Sequence, residues 1–181
     1  VTTVAQDNSM PVASASNTSA LTCSTTTVAL TGGPASGVTY QWSGPGFSGG
    51  TTSQNAVATA AGTYTLLITN TVNSCTNVAT TTVSQDVTPP TVTAATTGTL
   101  TCSTTTATLN GGPSSGVTYQ WRGPGFSGGT TSQDAIGTAA GTYRLLFTSS
   151  VNGCTNTATA TLGQDISTPA VASAVTAVLT C

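Results

Sequence analysis

The chain contains no glutamate, no lysine and no histidine. Its whole ionic inventory is four aspartates, Asp7, Asp86, Asp134 and Asp165, and two arginines, Arg122 and Arg144. Charged residues make up 3% of the chain, against about 25% in ordinary globular proteins. Two cations cannot neutralise a run of phosphates, which excludes nucleic acid as a partner. Without histidine or glutamate, most acid–base, zinc and Ser-His-Asp chemistry has no parts to use. The chain is therefore expected not to be an enzyme and to need no cofactor. No stretch approaches about 20 consecutive apolar residues, so no membrane span is expected in this segment. Low charge does not imply disorder here. Disordered chains combine low hydrophobicity with high net charge, whereas this one has net charge −2 and 37% hydrophobic residues.

What is abundant is threonine and serine, with 20 glycines and 8 prolines. Threonine, valine, tyrosine and tryptophan favour strands, and glycine and proline supply turns. The composition predicts an all-β protein. No signal peptide is visible, and Val1-Thr2-Thr3-Val4 reads as mid-strand, so an interior piece of a longer protein is expected.

Internal repetition is the strongest signal. Leu21-Thr22-Cys23 recurs as Leu100-Thr101-Cys102 and as Leu179-Thr180-Cys181, an offset of 79 each time (100 − 21 and 179 − 100). Gly37–Trp42 recurs as Gly116–Trp121, Gly44–Gln54 as Gly123–Gln133, and Thr59–Tyr64 as Thr138–Tyr143. Such a period is long for a solenoid and long enough for a small sandwich domain. The expected organisation is the end of a preceding repeat at 1–8, one repeat at 9–88, a second at 89–167, and the start of a following repeat at 168–181. The prolines at 89, 90 and 169 mark the breaks, because proline cannot donate to a sheet ladder. Both end segments are expected to be ordered and to reach a neighbouring copy or the adjoining repeat, as added strands complete open sheets.

Alternation of period two assigns faces within each repeat. Val38, Tyr40 and Trp42 share one face, and Tyr64, Leu66 and Ile68 another. The second repeat keeps the pattern with Tyr119, Trp121 and Tyr143. These six aromatic residues are the expected core. Arg122 and Arg144 have the opposite parity and belong on a solvated face. Roughly seven short strands per repeat suit a β-sandwich.

Cys23 and Cys75 are 52 residues apart (75 − 23), as are Cys102 and Cys154 (154 − 102). One bridge within each repeat is expected, leaving Cys181 to pair outside the sequence. The bland alternative is a pair of reduced, buried cysteines in each repeat. Two cysteines without histidine are too few ligands for a metal site. Disulfides imply an oxidising, extracellular compartment.

A cysteine, a tryptophan on a middle strand, then Gly62-Thr63-Tyr64-Thr65-Leu66 and a second cysteine resemble an immunoglobulin-like module. Leu66 and Leu145 stand where antibody-type domains carry their second cysteine, two residues after the tyrosine. Here the second cysteine follows the next hairpin tip, Val72-Asn73-Ser74 or Val151-Asn152-Gly153, so the bridge is expected to run from the start of strand B to strand G. Tyr40-x-Trp42 before a glycine-rich turn is also similar to PKD-type modules. As a whole the chain resembles the tandem Ig-like and PKD-like repeats of giant secreted surface adhesins of gliding bacteria. That resemblance implies tandem immunoglobulin-like sandwiches of 79 residues with one disulfide each.

Other residues invite functional readings. Asp7, Asp86 and Asp165 recur at repeat junctions and are weak Ca²⁺ candidates. One carboxylate per junction falls short of the six to eight oxygens Ca²⁺ takes, and a turn role fits better. The tryptophans could stack on sugars, but their parity makes them core. Phe47 and Phe126, in glycine-rich loops, are candidates for contact with a partner. The threonine runs Thr25–Thr27 and Thr80–Thr82 could carry glycans or form an ice-binding array; plain solvent-facing strand residues explain them as well. Low charge also removes a usual guard on sheet edges, favouring association with other copies. The expected function is a structural segment of an extracellular fibre or adhesin stalk. The alternatives are a self-assembling filament subunit and a carbohydrate-binding module. The expected partners are other copies, adjoining repeats and surface glycans.

Overall fold

The computed structural model describes residues 5–168. The expectations for Cys181 and for most of both end segments (1–4 and 169–181) lie outside the described residues. Nine strands fill the first repeat: β1 (Ser14–Asn17), β2 (Leu21–Thr22), β3 (Val28–Gly33), β4 (Val38–Ser43), β5 (Phe47–Gly49), β6 (Asn55–Ala58), β7 (Gly62–Asn70), β8 (Thr76–Val83) and β9 (Gln85–Asp86). The second repeat has β10 (Thr93–Thr97), β11 (Leu100–Thr101), β12 (Ala107–Gly112), β13 (Val117–Arg122), β14 (Phe126–Gly128), β15 (Asp134–Gly137), β16 (Gly141–Ser149), β17 (Thr155–Leu162) and β18 (Gln164–Asp165). The described residues contain no helix.

Each repeat pairs its strands in the same order. One sheet runs β1-β3-β6-β5 and the other β4-β7-β8, while β2 lies parallel to β9. The second repeat gives β10-β12-β15-β14, β13-β16-β17 and a parallel β11–β18 pair. Four strands against three in this order is the ABED and CFG arrangement of a constant-type immunoglobulin domain. The chain is all-β and immunoglobulin-like.

By its contacts the chain divides into two compact units. One holds residues up to Pro90 together with Thr148–Thr155; the other holds Thr91–Phe147 and resumes at Asn156. Residues 148–155, which the period assigns to the second repeat, thus belong to the first unit.

The first unit's core joins Val28, Leu30, Ala56 and Ala58 of one sheet to Trp42, Tyr64, Leu66, Ile68 and Val83 of the other. The alternation in sequence causes this, since side chains i and i+2 point to the same face; β3 reads buried, exposed, buried, exposed, buried. Trp42 is 2% exposed, and its indole N–H donates to the Ser53 carbonyl at 3.1 Å, so burying the ring leaves no unpaired donor. The second unit repeats the core with Leu109, Trp121, Ala135, Tyr143, Leu145, Phe147 and Leu162.

The hydroxyl of Tyr64 donates to the carbonyl of Ala60 at 2.7 Å and lies 2.8 Å from that of Gly46. Tyr143 does the same with Ala139 and Gly125. A tyrosine at the start of the sixth main strand reaching back to backbone just upstream is the tyrosine corner of immunoglobulin domains. Tyr40 and Tyr119 are only half-buried. They pack at the edge of their cores, and each hydroxyl reaches a proline carbonyl, Pro34 or Pro113.

The expected cysteine pairing is overturned. Cys23 bonds to Cys154, not Cys75, and Cys102 and Cys75 are free thiols. The reason is strand direction. Cys23 directly follows β2, whose partner β9 follows β8, whereas Cys75 precedes the first residue of β8. The eight residues of β8, at about 3.3 Å each, separate the two cysteines by more than ~25 Å. A disulfide tolerates a Cα separation of at most about 7 Å; Cys23 and Cys154 are 4.9 Å apart. Among the described residues, the expectation of one disulfide per repeat gives way to a single bridge between cysteines of successive repeats.

Candidate functional site

The chemistry of this chain concentrates where the Ser149–Thr155 hairpin tip meets the β2 and β9 ends of the first unit. The tip is shaped by its own hydrogen bonds: Gly153 N–H donates to the Ser149 carbonyl at 3.0 Å, and Ser149 N–H to that of Cys154 at 2.8 Å. Gly153 has φ +71°, a left-handed conformation that costs glycine little. Asn152 is the one polar residue buried among the described residues, at 5% exposure. Its Oδ1 accepts from Cys154 N–H at 3.0 Å, and its Nδ2 donates to the Thr88 carbonyl at 2.9 Å. Its backbone carbonyl accepts from the N–H and the hydroxyl of Ser24, both at 3.3 Å. The bridge to Cys23 completes the seat.

Asp86 shapes the other wall. Its Oδ1 accepts from Thr88 N–H at 3.0 Å, closing a turn that presents the Thr88 carbonyl to Asn152. The Thr88 N–H, then the Thr88 hydroxyl and the Asn152 amide, hold the Asp86 carboxyl below its ordinary range. The same turn occurs at Asp7, with Ser9 N–H at 3.0 Å, and at Asp165, with Ser167 N–H at 3.1 Å. The Ser9 and Ser167 hydroxyls are the main cause of a lowered carboxyl at those positions. All three junction aspartates are thus turn acceptors. Among the described residues no three histidine, cysteine or acidic side chains come together as a metal site would require.

The arrangement is present three times in different states of completion. In the first repeat, Asn73 Nδ2 donates to the Ser9 carbonyl at 3.0 Å and Asn73 Oδ1 accepts from Cys75 N–H at 3.0 Å, matching Asn152. Cys75 has no partner and stays half-buried, whereas Cys154 is 2% exposed. In the second unit, Thr101, Cys102, Ser103, Asp165 and Ser167 line an open groove of about 360 Å³. Those positions correspond, by the offset of 79, to Thr22, Cys23, Ser24, Asp86 and Thr88.

The other candidates lie apart from this seat. Phe47 packs edge-on against Tyr64 at 5.1 Å, and Phe126 against Tyr143 at 5.2 Å, so both rings cover the tyrosine corners. Arg122 and Arg144 are exposed. The two asparagines were missed by sequence reasoning; the signal was Asn-x-Cys at both tips.

No family model matches the chain, and no curated protein sequence matches it. Among solved structures it is similar to the three N-terminal domains of the bacteriophage RB49 Highly Immunogenic Outer Capsid protein. The identity is 14% and the TM-score 0.47, over 84% of this chain and 58% of that one. It is also similar to murine CEACAM1b, at 15% identity and TM-score 0.38 over 85% of this chain and all of that one. Sidekick-1 immunoglobulin domains 1–5 match at 15% and 0.32, over 84% of this chain and 37% of that chain. The immunoglobulin-like class rests on the strand order and the tyrosine corners described above.

Proposed function

We propose that the chain is a structural segment of an extracellular fibre or adhesin stalk, a spacer of tandem repeats in the manner of the giant surface adhesins it resembles. The observation that carries this reading is the bridge between cysteines 131 positions apart, one in each of two successive repeats. A repeat that served only as an independent binding module needs no covalent tie to the next. A spacer gains from one, because the tie limits how far neighbours bend or separate. Such a bridge forms and persists in an oxidising compartment, and with hydroxyls in place of charges the surface is suited to stand outside a cell. The reading includes no chemistry and no cofactor.

Small-angle scattering of the oxidised chain and of a Cys23→Ser chain tests this. A stiff spacer gives one narrow distribution of dimensions when bridged and a broader one when the bridge is lost. Equal distributions for the two chains would overturn it.

A further inference from the structure

Both basic side chains of this chain sit at one place. Arg122 ends β13, and Arg144 lies in β16, its neighbour in the β13-β16-β17 sheet. In the first repeat the same strands set Ser43 opposite Thr65 and Thr65 opposite Thr80. The offset of 79 carries that row to Arg122, Arg144 and Thr159. Directly opposed side chains have Cβ atoms about 5 Å apart, and like charges so placed repel. No acid relieves the pair. Asp7, Asp86 and Asp165 are engaged in their turns with Ser9, Thr88 and Ser167, and Asp134 begins β15 in the other sheet. Both arginines are exposed, and neither guanidinium has a hydrogen-bond or ion-pair partner among the described residues.

The surroundings narrow what such a pair takes. Side chains i and i+2 of a strand share a face. Gln120 is exposed on the face of Arg122, and Thr157, Thr159 and Thr161 present exposed hydroxyls along β17. The aromatic rings of these strands, Tyr119, Trp121, Tyr143 and Phe147, have the opposite parity and pack on the core. The face therefore has no ring to stack on a neutral sugar. Its one large apolar residue, Leu146, is half-buried, which leaves no anchor for a lipid surface. Two cations are too few to follow a nucleic-acid backbone.

We propose that the Arg122–Arg144 pair is a binding site for the carboxylate or sulfate groups of an acidic polysaccharide. An anion between the two guanidiniums replaces their repulsion with charge-assisted hydrogen bonds, each planar fork matching two oxygens. The threonine hydroxyls and the Gln120 amide meet the sugar hydroxyls beside the charged group. A polysaccharide carries its charged group many times, so one strand gathers several copies of the chain. The first repeat has Ser43, Thr65 and Val78 where the second has Arg122, Arg144 and Thr157, and so lacks the site. Its corresponding positions Ser43, Thr80 and Thr82 are exposed although another repeat follows them in the chain.

This inference goes beyond the spacer reading and does not depend on it. Binding of the oxidised full chain to immobilised polygalacturonate, dextran sulfate and uncharged dextran is measured by surface plasmon resonance at low salt. The chain is expected to bind one or both acidic polymers and not dextran, and the two acidic arms separate carboxylate from sulfate. Arg122→Ser with Arg144→Thr installs the first repeat's residues on the same strands, so the fold is kept and binding is lost. Each single substitution weakens binding roughly tenfold, and added salt removes it. Absence of binding to both acidic polymers, equal binding to dextran, or unchanged binding by the double variant overturns the site. Sedimentation of the wild-type chain supplies the remaining outcome: self-association that disappears with Asp134→Asn assigns the pair to an acid of a second copy and overturns the polysaccharide.

Discussion

Because arginine occurs only at 122 and 144 and lysine is absent, trypsin tests the disulfide connectivity with few products. It cuts the unfolded chain into 1–122, 123–144 and 145–181. The first fragment carries Cys23, Cys75 and Cys102, and the last carries Cys154 and Cys181. In a chain with Cys102→Ser and Cys181→Ser, a Cys23–Cys154 bridge holds the first and last fragments together until reductant is added. Pairing within repeats would instead close Cys23 on Cys75 and release the last fragment. The energetic consequence follows from the same connectivity. With 131 residues in the closed loop, the chain-entropy relation gives about 5 kcal/mol of stabilisation as its upper value. Cys23→Ser should therefore lower the urea midpoint sharply, whereas Cys75→Ser and Cys102→Ser should change stability by no more than about 0.5 kcal/mol. Release of 145–181 without reductant would refute the argument, as would a loss at Cys75→Ser as large as that at Cys23→Ser.

Three further outcomes are expected. Tyr143→Phe removes a hydroxyl that donates to Ala139 or Gly125 and accepts from Ala139 N–H; it should destabilise by about 1–3 kcal/mol in denaturant titration, and a neutral result would count against the tyrosine corner as a stabilising element. The junction aspartates have folded-state values below 3.8, so their stabilisation is complete above 3.8 and is lost as pH falls through the lower, folded values. With no histidine or glutamate to titrate, the melting temperature should be flat from about pH 8 to about pH 5 and fall only in acid, with a shallower fall for Asp86→Asn; a step near neutrality would contradict this. Finally, β13 and β16 are neighbours, and in the first repeat the corresponding strands set Ser43 opposite Thr65. The offset of 79 puts Arg122 opposite Arg144, and like charges so placed repel. Replacing them with the first repeat's residues, Arg122→Ser with Arg144→Thr, should stabilise by about 0.2–1 kcal/mol at low salt, and salt should erase the gain.

The architecture was legible because alternation in a two-sided sheet is written directly into residue parity. Trp42, Tyr64 and Leu66 could be assigned to a core, and Arg122 and Arg144 to solvent, without coordinates. Tyr40 has the right parity but sits where the sandwich opens, and parity alone does not register how far along a strand the core extends. The bridge was not legible for a different reason. In a periodic chain a partner 52 residues on and a partner 131 residues on (52 + 79) recur equally well, and only strand direction separates them. The seat around Asn152 depends on bringing residues 24, 88 and 152 together, which no local pattern encodes; the recurrence of asparagine two residues before cysteine in both tips was its one trace.

In the proposed spacer, the Cys23–Cys154 bond also decides which part of the chain can feel tension. A pull that enters at Cys23 leaves at Cys154 through one S–S link, so residues 24–153 are bypassed. At roughly 3.5 Å per residue, some 450 Å of chain is withheld from extension. The second unit's strands from β10 to β15 all lie inside that closed loop, and under load they are passengers. If the chain serves as the proposed spacer, its usable length is set by the reducing power of its surroundings before it is set by force.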